Sequence, residues 1–403
     1  MRVLNLLSLL LIAFSTQLIS SEKNTSLEYY ISDSKNKQFE YDYQKNEAEG
    51  SKLRDSWISP LNLSYTYSKS NPYVTKQVSE TAAIKMDQPI FQSGGIYYGI
   101  KYSQAYQLYS DYSVDVAKRK LIKDAISILM QIQQTDLKIS KQKLQIQNSE
   151  INLKLKKEQY LSGQLDSGFL DNAIIERNVV IQTLYDIETA KERLISSFSV
   201  ISDLDYKNAK IPFLELLDEE EFLKQNIVLK MVNSQTKKDM YNKDVTIAKY
   251  LPQISFTAGY NWSKSDSQFS FGANEKNYYD YGVKANMPIN LNTFRDIEST
   301  RIDYLKSKVV AIDKQKELIA LFEQVMQNID NLEKKKLLSV ENKNIYAKLL
   351  TDTKELFSVG YKTEFDVQTL ENSVEISELN SKIFEFDKQL ELLNLYEMYV
   401  NGI

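Results

Sequence analysis

Four short segments of the chain alternate apolar with polar residues, which is the period of a β-strand with one apolar face. In the third segment every second residue from Ile254 to Trp262 is apolar, and the residues between them are polar or small. The pattern predicts strands at about residues 57–69, 80–91, 252–264 and 278–290. We therefore expect two pairs of strands that lie far apart along the chain.

Each pair of strands is followed by a long stretch that is typical of a helix. Residues 96–161 and 293–357 contain no proline, and Gly99 is their only glycine. At 1.5 Å per residue, a helix of about 65 residues spans roughly 100 Å. The first stretch has two seven-residue apolar series on opposite flanks, namely Leu137, Leu144 and Ile151, and Ile139, Ile146, Leu153 and Tyr160. Two such series predict a helix with a neighbour on each side, as in the wall of a tube.

The same order of elements occurs twice. Gly163 and Gly360 each end a long helix, so tips are expected near residues 163–168 and 358–364, each followed by a return helix. The predicted divisions are a first repeat at 22–207, a linker at 208–217 and a second repeat at 218–403. A duplication on this scale is not that of a solenoid, and it indicates a building block of a larger symmetric assembly.

The composition narrows the chemistry. The 403 residues include no histidine and no cysteine, which excludes disulfides, imidazole bases and the common zinc sites. The formal net charge of −4, with both signs mixed along the chain, gives no case for nucleic acid. The acidic run Asp218–Glu221 is expected to be the solvated start of a helix. No catalytic constellation stands out, so we expect neither an enzyme nor a bound metal or cofactor.

The first residues have the pattern of an export signal. Arg2 precedes an apolar run at residues 3–14, and the small residues Ser20 and Ser21 follow. This pattern predicts a signal peptide at residues 1–21. The run is shorter than the roughly 20 apolar residues of a membrane helix. We expect an exported protein.

The alternating segments allow two interpretations. A half-buried sheet on a soluble core is the commoner one, but the strands are long enough to cross a bilayer when tilted, and aromatic residues lie near their ends. Four strands cannot close a barrel, so other subunits would have to complete it. The positions expected to face lipid are Leu63, Tyr65, Phe256, Tyr260, Trp262, Tyr281 and Val283, and those expected to line the lumen are Lys85, Asp87 and Lys284.

Taken in order, the motifs resemble those of the TolC-type outer-membrane efflux and secretion channels, also called outer membrane factors. The resemblance is carried by Leu251–Phe256 entering the second strand pair and Gln88–Gly95 leaving the first, and by the tips Ser162–Gly163 and Val359–Gly360. It implies a mainly α fold with membrane β-strands. Two repeats would give four strands to a trimeric, twelve-stranded outer-membrane barrel, and long helices to a periplasmic α-helical barrel.

The resemblance also implies a function and partners. The chain would be a passive homotrimeric exit duct in the outer membrane of a Gram-negative bacterium, in contact with its lipid. A periplasmic adaptor protein and an inner-membrane pump would dock on it and open it, in an efflux or type I secretion system. An alternative that the residues leave open is an exported trimeric coiled-coil scaffold without a pore.

The family's functional positions map onto the two tips. The periplasmic gate would lie at Asp366 and Thr369, where the family has two aspartates, so Thr369 departs from the pattern. Asp366 could also be an acidic residue at a helix start, stabilised by the helix dipole. Gly168 and Phe169 replace the polar pair that latches the closed state in other members. The positions expected to dock the adaptor are Gly163, Gly168, Val359, Gly360 and Lys362.

Overall fold

The computed structural model of the chain describes residues 28–71, 76–266 and 274–400. The predicted signal peptide, residues 1–21, lies outside the described residues. The described chain forms four strands and seven α-helices, in the order α1 (Asp33–Arg54), β1 (Asn62–Ser70), β2 (Gln77–Phe91), α2 (Gly95–Leu161), α3 (Ser167–Ile201), α4 (Glu219–Lys224), α5 (Ile227–Lys249), β3 (Gln253–Asp266), β4 (Asn274–Asn286), α6 (Thr293–Ser358) and α7 (Glu364–Tyr396).

The four strands form one antiparallel sheet in the order β1, β2, β3, β4, so β1 and β4 are its edges. β1 begins at Asn62 and not near residue 57, because Pro60 just before it has no backbone N–H to give to a ladder. β4 ends at Asn286 and not near residue 290, because Pro288 likewise cannot donate. A bulge at Pro89–Phe91 ends the pairing of β2 with β3.

The helices form a layer that continues from the sheet. Next to the sheet, α2 contacts α1 and α5, and α5 contacts α6. Farther away α2 contacts α3 and α7, and α7 contacts α6. The helix order is therefore α1–α2–α5–α6 near the sheet and α3–α2–α7–α6 beyond it. Because α2 has 67 residues and α6 has 66, each spans about 100 Å.

The apolar core lies where α1 and α3 meet end to end. At this point the Ser32 N–H donates a hydrogen bond to the Ile201 carbonyl, with 2.8 Å between nitrogen and oxygen. The Phe222 and Phe322 rings pack there with centroids 5.6 Å apart. The other fully buried side chains of this core include Ile126, Leu129 and Met130 of α2 and Leu392, Leu393 and Leu395 of α7. This core joins the two repeats midway between sheet and tips.

An irregular segment, residues 202–218, crosses this core and contains the predicted linker. Leu214 is buried, and its N–H and C=O both bond the Gln389 side chain, at 2.8 and 3.2 Å. Asp218 caps α4 by accepting from the N–H groups of Glu220 and Glu221. Among the helices in the described ranges, none combines the length and apolarity that a membrane crossing requires.

Candidate functional site

One face of the sheet is apolar and exposed. Residues directly opposite each other on neighbouring strands share a face, and the register places Leu63 opposite Ile84, Ile84 opposite Tyr260, and Tyr260 opposite Tyr279. The same register brings all the positions predicted to face lipid onto this face: Leu63, Tyr65, Phe256, Tyr260, Trp262, Tyr281 and Val283. All of these side chains are exposed except Trp262, which is half-buried.

The apolar face has a charged border. From Ile254 to Trp262, β3 rises about 27 Å at roughly 3.4 Å per residue, and the face is apolar over that length. The next row away from the helices holds Glu80, Lys264 and Glu275, which the register aligns across three strands. The Trp262 Nε1 donates to the Glu275 carboxylate at 2.7 Å. An apolar band with aromatic residues beside a charged row is the pattern of a lipid-facing surface.

The opposite face of the sheet is polar. Lys85, Asp87 and Lys284 lie on it, as the alternation predicts. Asn261, also on this face, donates from Nδ2 to the Asp280 carboxylate at 2.6 Å. A Cβ at Gly259 would lie 2.9 Å from that carboxylate, so the glycine makes room for it. Within the described residues, no group of acidic side chains could hold a metal ion.

The two edges of the helical layer expose apolar side chains. On α6, Ile302, Leu305, Val309 and Ile312 follow a three–four–three spacing and are all exposed. The opposite edge is α1 near the sheet, where Tyr41 is exposed, and α3 beyond it, with exposed Ile174, Ile175, Val179 and Tyr185. Apolar stripes of this extent usually mark surfaces that another protein chain covers.

The two tip glycines cap the long helices. Gly163 and Gly360 have φ of +76° and +81°. The Gln164 N–H bonds the Gln159 carbonyl and the Gly163 N–H bonds that of Tyr160, and the second tip repeats this pattern. This pair of hydrogen bonds is the Schellman motif. Its left-handed residue is usually glycine, because glycine lacks a Cβ. Around the turns, Val359 and Lys362 are exposed, and the Gly168 N–H bonds its N-cap Asp166 at 2.8 Å.

Asp366 lies in the first turn of α7 and takes part in a capping box. Its carboxylate accepts from the N–H and the Oγ1 of Thr363, both at 2.9 Å, and its own N–H donates back to Oγ1 at 3.2 Å. These bonds, with the nearby Lys362 ammonium at 3.9 Å, lower the pKa of Asp366. Thr369 donates to the Phe365 carbonyl at 2.8 Å. Both predicted gate residues thus lie at a helix start, and their gating role stays a prediction.

A polar seam separates the two helical hairpins, α2–α3 and α6–α7. Across it Gln134 Nε2 donates to Asp387 at 2.6 Å, and Lys141 donates to Asn380 at 3.1 Å. Near the tips, Asn372 donates to Asn148 at 2.8 Å. The sequence reasoning missed this seam, although Gln134, Lys141 and Asn148 recur every seven residues on α2 and so lie along one line of the helix.

Close to the tips the seam widens into a groove of about 790 Å³. Its lining mixes apolar and polar side chains, and the polar ones include Asn152, Glu176, Lys362, Asp366 and Thr369. The groove thus brings the predicted gate residues together with one predicted docking residue, Lys362. Gly163, Gly168, Val359 and Gly360 do not line it and lie at the turns instead.

Three solved structures resemble the chain over most of its length. The CmeC outer membrane channel of Campylobacter jejuni has a TM-score of 0.71 at 12% identity, over 92% of this chain and 84% of that one. For the outer membrane protein VceC of Vibrio cholerae the TM-score is 0.70 at 11% identity, over 90% and 92%. For the open state of the MtrE outer membrane channel of Neisseria gonorrhoeae it is 0.65 at 13% identity, over 93% and 86%.

The chain has the TolC-type fold of outer-membrane channels. No protein-family model and no curated protein sequence matches it. The small four-stranded sheet, the two long helices and the two tips are the features that the chain shares with these structures, at 11–13% sequence identity. In the TolC-type fold of this chain, the exposed sheet face, the helix edges and the groove are the surfaces left for other molecules.

Proposed function

We propose that the chain is the outer-membrane channel of a tripartite efflux or type I secretion system. In this proposal three copies form a passive exit duct in the outer membrane of a Gram-negative bacterium, and the duct extends into the periplasm. CmeC and MtrE, which share the fold, are outer membrane channels. Their likeness supports the proposal at the level of fold, and the surfaces of this chain support it at the level of residues.

The observation that carries the proposal is the exposed apolar face of the sheet. β2, β3 and β4 have 13 to 15 residues, more than the roughly 9 to 11 that cross a bilayer when tilted. With a tilt of about 40°, a 27 Å apolar stretch covers roughly 20 Å of membrane thickness, close to the apolar band of outer-membrane barrels. A soluble protein would gain nothing from displaying so many aromatic side chains on one sheet face.

Barrel closure requires further copies. β1 and β4 each leave one edge unpaired in the single chain, and unpaired strand edges are not stable in lipid. The α6 edge of one copy would pack against the α1 and α3 edge of the next, so that the sheet and helix edges are covered together. A cyclic homotrimer, with twelve strands in one barrel, satisfies both requirements. The polar face with Lys85, Asp87 and Lys284 would then line the lumen.

The tips are the proposed contact with the rest of the machine. Val359, Lys362 and the turns at Gly163 and Gly360 project farthest from the sheet, and the groove beside them is open to solvent. We place the docking of a periplasmic adaptor there, and an inner-membrane pump would act through the adaptor. Opening would require the hairpins to part along the polar seam, where hydrogen bonds can be exchanged for bonds to water.

Lysine substitutions on the two sheet faces test the proposal. Phe256→Lys and Val283→Lys should each cost about 2–4 kcal/mol of membrane assembly if these positions face the bilayer midplane. Thr257→Lys is the matched control on the polar face, where Asp87 lies opposite. We expect heat-modifiable, membrane-inserted trimers from the control and few from the other two. Normal assembly of all three variants would refute the channel and favour the scaffold without a pore.

A further inference from the structure

We propose that Lys154 and Phe365 form a cation–π latch that holds the two hairpins together beside the tips. The inference rests on the proposed function, because parting of the hairpins is what opening needs. Lys154 belongs to α2 and Phe365 to α7, so the contact crosses the seam. The Lys154 Nζ lies 4.5 Å from the centroid of the Phe365 ring, well within the range of a cation–π interaction.

This contact lies close to the tips, at the ends of the hairpins that are farthest from the core. Each hairpin is tied internally by ion pairs, such as Arg177 with Glu150 at 3.3 Å and Lys354 with Glu371 at 2.7 Å. Between the hairpins the connections are few. Closer to the tips than Lys154 and Phe365, no hydrogen bond, ion pair or cation–π contact joins the hairpins in the described chain. A contact near the free ends of the two hairpins resists their separation more effectively than a contact near the core does.

The capping box sets the position of Phe365. Thr363 is the N-cap of α7 and Asp366 is the third helical residue, so Phe365 lies between the two bonded partners. Their reciprocal hydrogen bonds fix the first turn, and Phe365 is half-buried on the groove side. Asp366 is thus a positioning residue for the latch. It acts through the start of α7, and its own carboxylate does not contact Lys154 in the structure.

The strength of the latch follows from its exposure. Lys154 is exposed, and an exposed cation–π pair shifts a two-state equilibrium by about two- to fivefold. If three copies part their hairpins together, the factors multiply to roughly ten- to a hundredfold. A shift of this size holds the tips together at rest, and a docking partner can still overcome it.

The test measures the distance between the tips in the full-length protein. The chain has no cysteine, so Leu161→Cys and Val359→Cys can carry spin labels at two exposed tip positions. In detergent-extracted protein, Lys154→Met and Phe365→Leu should each raise the long-distance population about two- to fivefold. The double variant Lys154→Met with Phe365→Leu should have nearly the same long-distance population as either single variant. Lys154→Arg should keep the distance distribution of the parent.

Lys157→Met is the matched control, because it removes a charge from the same end of α2 at a residue that contacts no ring in the described part of the chain. Distances unchanged by Lys154→Met and Phe365→Leu, or changed equally by Lys157→Met, would overturn the latch. Conductance in planar bilayers is a separate readout. A parent protein that conducts no ions would contradict the proposed channel, and the distances would still decide whether the latch exists.

Discussion

At the scale of single residues, the carboxylate of Asp366 accepts hydrogen bonds from the N-cap of its own helix. Both of its hydrogen bonds come from Thr363, and they lower its pKa together with Lys362. A lowered folded-state pKa contributes stability that is present above the unfolded value and is lost as the pH falls through the folded value. At neutral pH the group is therefore charged, and the two hydrogen bonds that its Oδ2 accepts serve the start of α7.

Two substitutions at Asp366 separate the capping role from a charge role. Asp366→Ala removes the acceptor and should lower the free energy of unfolding by about 0.5–2 kcal/mol. Asp366→Asn keeps an acceptor and should lower it by less. The difference between parent and Asp366→Ala should shrink as the pH falls from the ordinary aspartate pKa to the lowered pKa of the folded state, below which the parent carboxylate is protonated. Thermal unfolding of the extracted protein at several pH values measures both effects.

Planar-bilayer recordings address the charge role directly. If the carboxylate serves mainly as a cap, Asp366→Asn should leave the block by multivalent cations within about twofold of the parent, because little charge is aimed at the lumen. A large loss of block in Asp366→Asn would establish a ring of Asp366 carboxylates at the gate and contradict the capping account.

Some of these residues are predictable from sequence and others are not. Gly163 and Gly360 stand after long apolar-periodic stretches, where a helix C-cap is expected, and the structure has them there. Lys154 and Phe365 are separated by most of the chain, and neither has an unusual neighbourhood in sequence. Their contact depends on how α2 and α7 pack, which is a tertiary property that a single sequence does not reveal.

At the scale of elements, the two edges of the helical layer carry the account of assembly. α6 is an edge along its whole length, whereas the opposite edge is composed of α1 and α3 joined end to end. Within one chain, α1 and α6 are separated by α2 and α5, so their axes lie roughly 25–30 Å apart at 8–10 Å per packed helix pair. A short cross-link between them can therefore form only between two copies.

A cross-linking experiment uses this geometry. Tyr41→Cys and Ile312→Cys lie at similar heights on opposite edges, and a bis-maleimide of about 10 Å should join copies into covalent dimers and trimers on a denaturing gel. Tyr41→Cys alone is the control, since no native cysteine competes. Trimers should be the largest product. Cross-linked products larger than a trimer, or no cross-linked product at all, would contradict the cyclic arrangement.

The elements themselves follow from the sequence because their periods are long and regular. The long helices begin and end within two residues of the predicted stretches, 96–161 and 293–357. The strand limits were less accurate, because the alternation runs on past Pro60 and Pro288, where backbone hydrogen bonding stops. The polar seam was missed because a line of Gln134, Lys141 and Asn148 looks the same in sequence as a solvated helix face.

At the scale of the whole molecule, three surfaces of one chain fit a single assembly. In the proposed assembly the apolar sheet face would contact lipid, the helix edges would contact neighbouring copies, and the tips with their groove would contact a periplasmic partner. The proposed trimeric duct would cover the first two and leave the third free.

The most direct test of this account is the mass and shape of the detergent-extracted particle, measured by light scattering and negative-stain microscopy. We predict three copies of the 46.7 kDa chain, slightly lighter if a signal peptide is removed, in a hollow particle more than about 100 Å long. A compact, water-soluble monomer would contradict the account, because its apolar sheet face and helix edges would then meet neither lipid nor a second copy.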